Sequence, residues 1–267
     1  MAVIIGDIHG DINLVRAFLA YKPEAEHIAL GDYVDTRSPA TISLDDELAC
    51  IDLLFASDSV LLWGNHDLAY LPESPWRCNP PHDINSYDEI KKYTDNNEYL
   101  KSCLEEYDGL YVRHVFEDKF VKQRHRIKAA YAVGGWLFTH AGFCKKLAEV
   151  TPSGVLEGGA EAIADWLSEE FLREMKIKQY PQDGRPPRYG VGPLFQVATR
   201  RGGIDTYGGI FWYDSCFETT QPYDGVKQIF GHTKTEGPMR IKNWVNIHIE
   251  DGIWIYDTEL LEFKKIG

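Results

Sequence analysis

The sequence predicts an α/β fold, and two observations carry that expectation. Over the first seventy residues, short β-branched or leucine-rich runs alternate with segments of helical periodicity. Each run stops at a polar loop that contains glycine. The resulting β-α-β-α order implies a largely parallel sheet at this end of the chain, with its ligand-binding edge at the C-terminal ends of the strands.

The elements follow in order. In "VIIGDIHGDI" (3–12), Val3-Ile4-Ile5 reads as a short central strand and is followed by Asp7 and His9 between glycines. The glycines allow a sharp turn and a close approach to the backbone. The acid and imidazole suit a cation, while Asp11 reads as the N-cap of the next helix. Ile12, Val15, Phe18 and Leu19 share one face of that helix, which is expected to run to about Tyr21. "HIAL" (27–30) is a second strand, ending at Gly31-Asp32. Ser43 is the expected N-cap of a helix with acids in its first turn, where the helix dipole favours them. "SVLLW" (59–63) is a third strand, ending at Gly64-Asn65.

Residues 72–126 interrupt this alternation with Pro72, Pro75, Pro80 and Pro81 and one polar helix expected over 86–106. This segment is expected to be a mostly helical, cap-like insertion in a single domain spanning 1–267. "AAYAVGGWLFTHAG" (129–142) predicts two strands joined at Gly134-Gly135, the second leading to His140, with a helix following near 160–176. Residues 180–209 form a Gly/Pro/Arg-rich loop long enough to be functional or mobile. "KQIFGHT" predicts a strand leading to His232. "NWVNIHIEDGIWIYDTELLEF" predicts a hairpin turning at Asp251-Gly252, with His248 facing solvent or a second layer.

Composition excludes several classes of function. The chain has 267 residues with 44% hydrophobic and 13% aromatic residues, enough to fill a core. A formal net charge of −13 argues against binding a nucleic-acid backbone, and locally bound metal could supply the positive charge that phosphate chemistry needs. No apolar stretch approaches a membrane span, and the N-terminus lacks the pattern of a secretory signal. Five cysteines without a C-x-x-C pair point to reduced thiols, so a cytoplasmic location is expected.

Asp7, His9, Asp32, Asn65, His66, His140 and His232 therefore each follow a strand, in five loops placed on one sheet edge. Taken singly, Asp32 reads equally well as a turn residue, His140 as a core histidine and Asn65 as a cap. His82, His114 and His125 in the insertion read as surface residues, and Cys144 has no readable partner that would make it a nucleophile.

In order, "GDIHGD", "GDYVD", "GNHD", "THAG" and "FGHT" resemble the motifs of the calcineurin-like metallophosphoesterase superfamily. They are most similar to its phosphoprotein phosphatase branch and to bacterial symmetrical diadenosine tetraphosphatases. "IFWYD" (210–214) is a weaker match to the same branch. The resemblance implies a four-layer αββα sandwich of two mixed sheets flanked by helices. It also implies two divalent cations, manganese first, with iron, zinc, nickel or magnesium as alternatives.

By that resemblance, the first cation takes Asp7, His9 and Asp32, and the second takes Asp32, Asn65, His140 and His232. Asp32 would bridge them, and a bridging hydroxide would attack phosphorus in line. His66, oriented by Asp35, would protonate the leaving alkoxide, and Asn65 and Arg37 would contact the phosphate. The chain departs from the pattern in two places. Thr36 stands where the branch has an arginine, so Arg37 must serve one residue later, with Arg200 and Arg201 as further candidates. Lys234 stands where the wider superfamily has a second histidine. The implied activity is that of a serine/threonine phosphatase-like phosphomonoesterase acting on a phosphorylated protein or a small phosphate ester. Hydrolysis of diadenosine tetraphosphate or another nucleotide polyphosphate is the alternative, and an inactive metal-binding scaffold a remote one. The sequence leaves the oligomeric state open.

Overall fold

Residues alternate their faces along β1 (Ala2–Ile5), and that alternation builds the core in layers. The computed structural model describes residues 1–76, 79–178, 190–249, 252 and 254–266. Val3 and Ile5 pack outward with Val15 and Phe18 of α1 (Ile12–Ala20). Ala2 and Ile4 face the other way, against residues of a second sheet.

The first sheet has the order β11 (Glu262–Lys265), β10 (Trp254–Asp257), β1, β2 (Glu26–Ala29), β3 (Val60–Leu62), β4 (Ile127–Lys128). In it β1, β2, β3 and β4 are parallel, as the β-α-β-α pattern requires. α2 (Leu44–Ala56) packs beside α1 and begins at Ser43, whose hydroxyl accepts from the Asp46 amide at 3.2 Å in a capping box. The second sheet has the order β5 (Tyr131–Val133), β6 (Trp136–Phe138), β7 (Lys227–Phe230), β9 (Trp244–Asn246), β8 (Met239–Ile241). β5 and β6 form the expected hairpin across Gly134-Gly135, and β6 runs parallel to β7. Trp136, Phe138, Ile229 and Val245 meet Ile4, Ile28 and Leu62 between the sheets. Further along the chain, α7 (Lys145–Val150) and α8 (Ser153–Glu157) precede α9 (Gly159–Glu174), which covers β5 and β6. The layers are thus helix, sheet, sheet, helix, with both sheets mixed.

Two expectations are corrected. The stretch 86–106 is not one helix: α3 (Asn65–Leu68) is followed by α4 (Tyr87–Thr94), α5 (Glu98–Tyr107) and α6 (Val112–Gln123). Asn96 adopts φ +64 and Asn97 caps α5 by accepting from the Leu100 amide, so the chain ends one helix and starts another there. Nor do the last strands pair across Asp251-Gly252. β8 pairs with β9 in the second sheet, whereas β10 pairs with β1 and β11 in the first. Asp251 itself lies outside the described residues, as do 179–189 of the expected loop. The described remainder of that loop contains two short 3₁₀ turns, at Pro193–Phe195 and Thr199–Arg201. Cys50, Cys103, Cys144 and Cys216 are free thiols. Among the described residues, no helix is long and apolar enough to cross a membrane.

Glu174 closes α9 from within the core. Its Oε2 accepts from the Leu194 amide at 3.2 Å, while Oε1 has no hydrogen-bond partner. Burial pushes its carboxyl up from 4.5 to about 7. The folded state therefore favours the protonated acid, and the stability this group contributes is lost as pH rises from about 4.5 to 7. Glu174→Gln should raise Tm at pH 8 by a few degrees, on the order of 2 kcal/mol. At pH 4 the variant should match the native protein. Thermal melts at the two pH values check this.

Candidate metal centre

The loop after β1 is strapped to the loop after β2. Amides of Ile8 and His9 donate to the Asp32 carbonyl at 3.0 and 2.8 Å, and the Gly10 amide donates to the Tyr33 carbonyl at 2.8 Å. Asp11 is used as the helix cap, its Oδ1 accepting from Asn13 and Leu14. The loop after β3 meets the second loop backbone to backbone. A Cβ on Gly31 would lie 2.3 Å from the Gly64 nitrogen, and one on Gly64 would lie 2.2 Å from the Asp32 nitrogen. Only glycine permits this approach. Asp67, fully buried, accepts from the amides of Asp32, Tyr33 and Gly64 at 2.8, 2.8 and 3.0 Å. Burial, then the nearby Asp32, holds its carboxyl well above the usual range. Asp67 lay in plain view in "GNHD", yet nothing local shows that it fixes three amides of two loops.

His9 (φ +48), Asp32 (+56), Asp35 (+62) and His232 (+65) all adopt left-handed backbone conformations. Strained backbone of this kind persists where the surroundings over-determine it, as at functional sites.

The loops come from both sheets, not from one sheet edge: those after β1, β2 and β3 belong to the first, those after β6 and β7 to the second. They bring the expected residues together. Ligand atoms of Asp7, His9 and Asp32 lie within 4.8 Å of one another, as do those of Asp32, His140 and His232. Asp32 belongs to both groups. His140 Nε2 lies 3.0 Å from Asn65 Oδ1, 3.2 Å from His232 Nδ1 and 3.5 Å from Asp32 Oδ2, so Asn65 joins the second group. His140 Nδ1 lies 2.9 Å from the Leu30 carbonyl, which accepts its proton and leaves Nε2 with its lone pair directed inward.

The donor set fits divalent cations. His9 Nε2 and His232 Nε2 are buried without hydrogen-bond partners, an arrangement that is costly unless something else binds them. Burial lowers the His9 imidazole to about 4 despite the opposing pull of Asp32 and Asp7, and lowers His232 well below its usual range. Burial raises the Asp7 carboxyl, but the neighbouring histidines, His248 first, outweigh it and hold it well below the ordinary value. Neutral imidazoles and an ionised carboxylate are the forms that ligate.

Beside the first group, His66 Nδ1 lies 2.7 Å from Asp35 Oδ2, and the His66 amide donates to Asp32 Oδ1 at 3.0 Å. The His9 and His66 rings meet edge to face at 5.3 Å. The Tyr70 hydroxyl donates to the other Asp35 oxygen. Tyr70 was not anticipated, because its partner lies 35 residues away. Arg37 is exposed and lines a pocket of about 300 Å³ with Arg200, Arg201, His232 and Lys234. Asp45 and Asp46, two acids of the helix that follows it, are engaged elsewhere: Asp45 by Lys92 and Tyr93, Asp46 by Ser43. Arg201 is held 2.9 Å from Asp214 of "IFWYD", which also accepts from Thr233. Arg200 lies over the Phe217 ring.

Residues 2–236 match the family of calcineurin-like phosphoesterases. The chain belongs to that family. That family is one of metal-dependent phosphoesterases. A stretch of 69 residues is 36% identical to a Caenorhabditis elegans protein named "Putative serine/threonine-protein phosphatase". That stretch covers 25% of this chain and 15% of the relative, so the chain spans only a small part of that protein's length. Among solved structures, one named "a putative diadenosine tetraphosphatase" is 14% identical, with a TM-score of 0.45, over 99% of this chain and 92% of the other. A cold-active protein-tyrosine phosphatase from a Shewanella species is 13% identical, with a TM-score of 0.46, over 100% of this chain and 80% of the other.

Three other histidines complete the comparison with the sequence. His82, read as a surface residue, puts Nε2 3.0 Å from Glu47 Oε1, and His114 is buried against Tyr107 and Tyr111. Of the two expectations for His248, solvent or a second layer, solvent is excluded: it is buried with Nδ1 2.8 Å from Asp7 Oδ2. Cys144 is buried and its thiol is pushed up to about 11, first by burial, as befits a core residue.

Proposed function

We propose that this phosphoesterase is a dinuclear phosphomonoesterase of the serine/threonine phosphatase type. The observation that carries the proposal is the sharing of Asp32 by two convergent ligand groups, with the His66–Asp35 pair beside them. Divalent cations held by Asp7, His9 and Asp32 and by Asp32, Asn65, His140 and His232 would supply a water of lowered pKa and neutralise phosphoryl oxygens. Manganese is the proposed metal. Asn65 orients the phosphate from the second group. His66 donates a proton to the leaving oxygen, and Asp35, locked by Tyr70, holds the imidazole in the required tautomer. Segment 72–126 acts as a cap by reaching the site through Trp76, whose ring packs 5.5 Å from Trp212, itself 5.7 Å from His232. Free cysteines accord with a cytoplasmic setting.

A second reading, cleavage of a dinucleoside polyphosphate, draws on the cationic pocket of Arg37, Arg200, Arg201 and Lys234, which could take a further phosphate. The deciding experiment assays p-nitrophenyl phosphate, bis-p-nitrophenyl phosphate, a phosphothreonine peptide and diadenosine tetraphosphate, each with manganese, nickel, zinc and magnesium. Preference for the peptide over the dinucleotide supports the first reading, and the reverse supports the second.

Arg37 tests phosphate recognition directly, because a guanidinium matches two phosphoryl oxygens. Arg37→Ala should raise KM and lower kcat/KM for phosphomonoesters by about ten- to hundredfold, with metal content unchanged. Arg37→Lys should restore only part of the loss. Native kinetics in the alanine variant would move phosphate recognition to Arg200 or Arg201.

A further inference from the structure

The contacts of His248 have no part in the chemistry above, and they converge on one junction. His232 is a non-glycine residue at φ +65, a left-handed conformation that strains an L-residue. Both its backbone polar groups are tied. Its amide donates to Asp7 Oδ1 at 2.9 Å, and its carbonyl lies 3.1 Å from His248 Nδ1. A carbonyl can only accept, so His248 Nδ1 carries the proton. The same nitrogen lies 2.8 Å from Asp7 Oδ2.

His248 is itself stitched in place. Its amide donates to Asn246 Oδ1 at 3.0 Å, its carbonyl accepts from the Thr235 amide at 2.9 Å, and Asn246 Nδ2 donates to the Thr233 carbonyl at 2.8 Å. The ligand groups that converge on Asp32 do not include it. We infer that His248 is a positioning residue that fixes the Asp7–His232 junction and so sets the separation of the two cation sites. Asp7 belongs to the first group and His232 to the second, and one ring nitrogen touches both. Without that N–H, His232 loses the restraint on its carbonyl and can relax toward ordinary φ. Its ring then leaves His140, and Asp7 loses its neighbour.

The inference rests on the reading of Asp7 and His232 as cation ligands, so the test has a part that needs no cation. In metal-free protein, exchange of the His232 amide hydrogen should be faster in His248→Ala than in the native chain. It should return toward native in His248→Asn, whose amide nitrogen can replace Nδ1 as donor. In manganese titrations against a competing chelator, His248→Ala should bind both ions about 10–100-fold more weakly, and His248→Asn should recover most of that loss. Should the alanine variant not fold, His248→Leu, of similar bulk and without a donor, takes its place. Native exchange and native manganese affinity in the donor-less variant would overturn the inference. So would equal losses in the asparagine and donor-less variants, since the imidazole itself would then be what matters. If the native chain bound no manganese while the exchange result held, the cation reading would fail and the junction would stand.

Discussion

Asp32→Asn should abolish the second tightly held cation and reduce hydrolysis together with it. Asn tolerates the left-handed conformation that Asp32 adopts, at φ +56, so the loop keeps its shape. An Asn side-chain oxygen can still accept from the His66 amide, which lies 3.0 Å from Asp32 Oδ1 in the native chain. What is lost is the charge shared by two ligand groups, and an amide cannot bridge two cations as a carboxylate does. The expected loss in turnover is on the order of 10³-fold or more, beyond the 10–100-fold that outer partners of a metal site are worth. Metal analysis of the dialysed variant checks it. Two retained equivalents with near-native turnover would remove Asp32 from the centre of the site.

His66→Asn should leave cation content intact and slow turnover by about 10²–10⁴-fold, the usual worth of a general acid. His66 touches Asp35 through Nδ1, and neither convergent group contains it, so the metals should not feel the change. The loss should be greatest with alkyl phosphates, whose alkoxides leave poorly without a proton. It should shrink with p-nitrophenyl phosphate, whose leaving group barely needs one. A comparison of kcat on the two substrates distinguishes the roles, since a merely structural histidine would slow both alike.

The strands that carry the site were legible because each is short, largely apolar and followed by a loop that contains glycine, so the loops after β1, β2, β3, β6 and β7 could be placed by inspection. That they belong to two sheets was not visible in composition or periodicity, because sheet membership depends on pairings such as Val3 with Asp257, across the whole chain. The false hairpin at Asp251-Gly252 has the same origin. Alternation on either side of an Asp-Gly is a good local signal, yet β9 and β10 are drawn to different sheets by β7 and β1. The break at Asn96-Asn97 was present in the residues as a cap signal and was overridden by the apparent length of a polar helix. His248 shows the limit most plainly. Its alternation with Ile247 and Ile249 left solvent and a second layer both open, and all three are buried, because the strip from 247 to 249 lies beside Thr233–Thr235. Only that register sets the imidazole against Asp7.

The central claim is that two cations share Asp32, and low-temperature EPR of protein loaded with two equivalents of Mn(II) per chain tests it most directly. Ions bridged at about 3.5–4 Å are exchange-coupled, so the native chain should give a coupled spectrum that disappears in Asp32→Asn. A spectrum of isolated Mn(II) ions in the native chain, or uptake of a single equivalent, would contradict the account.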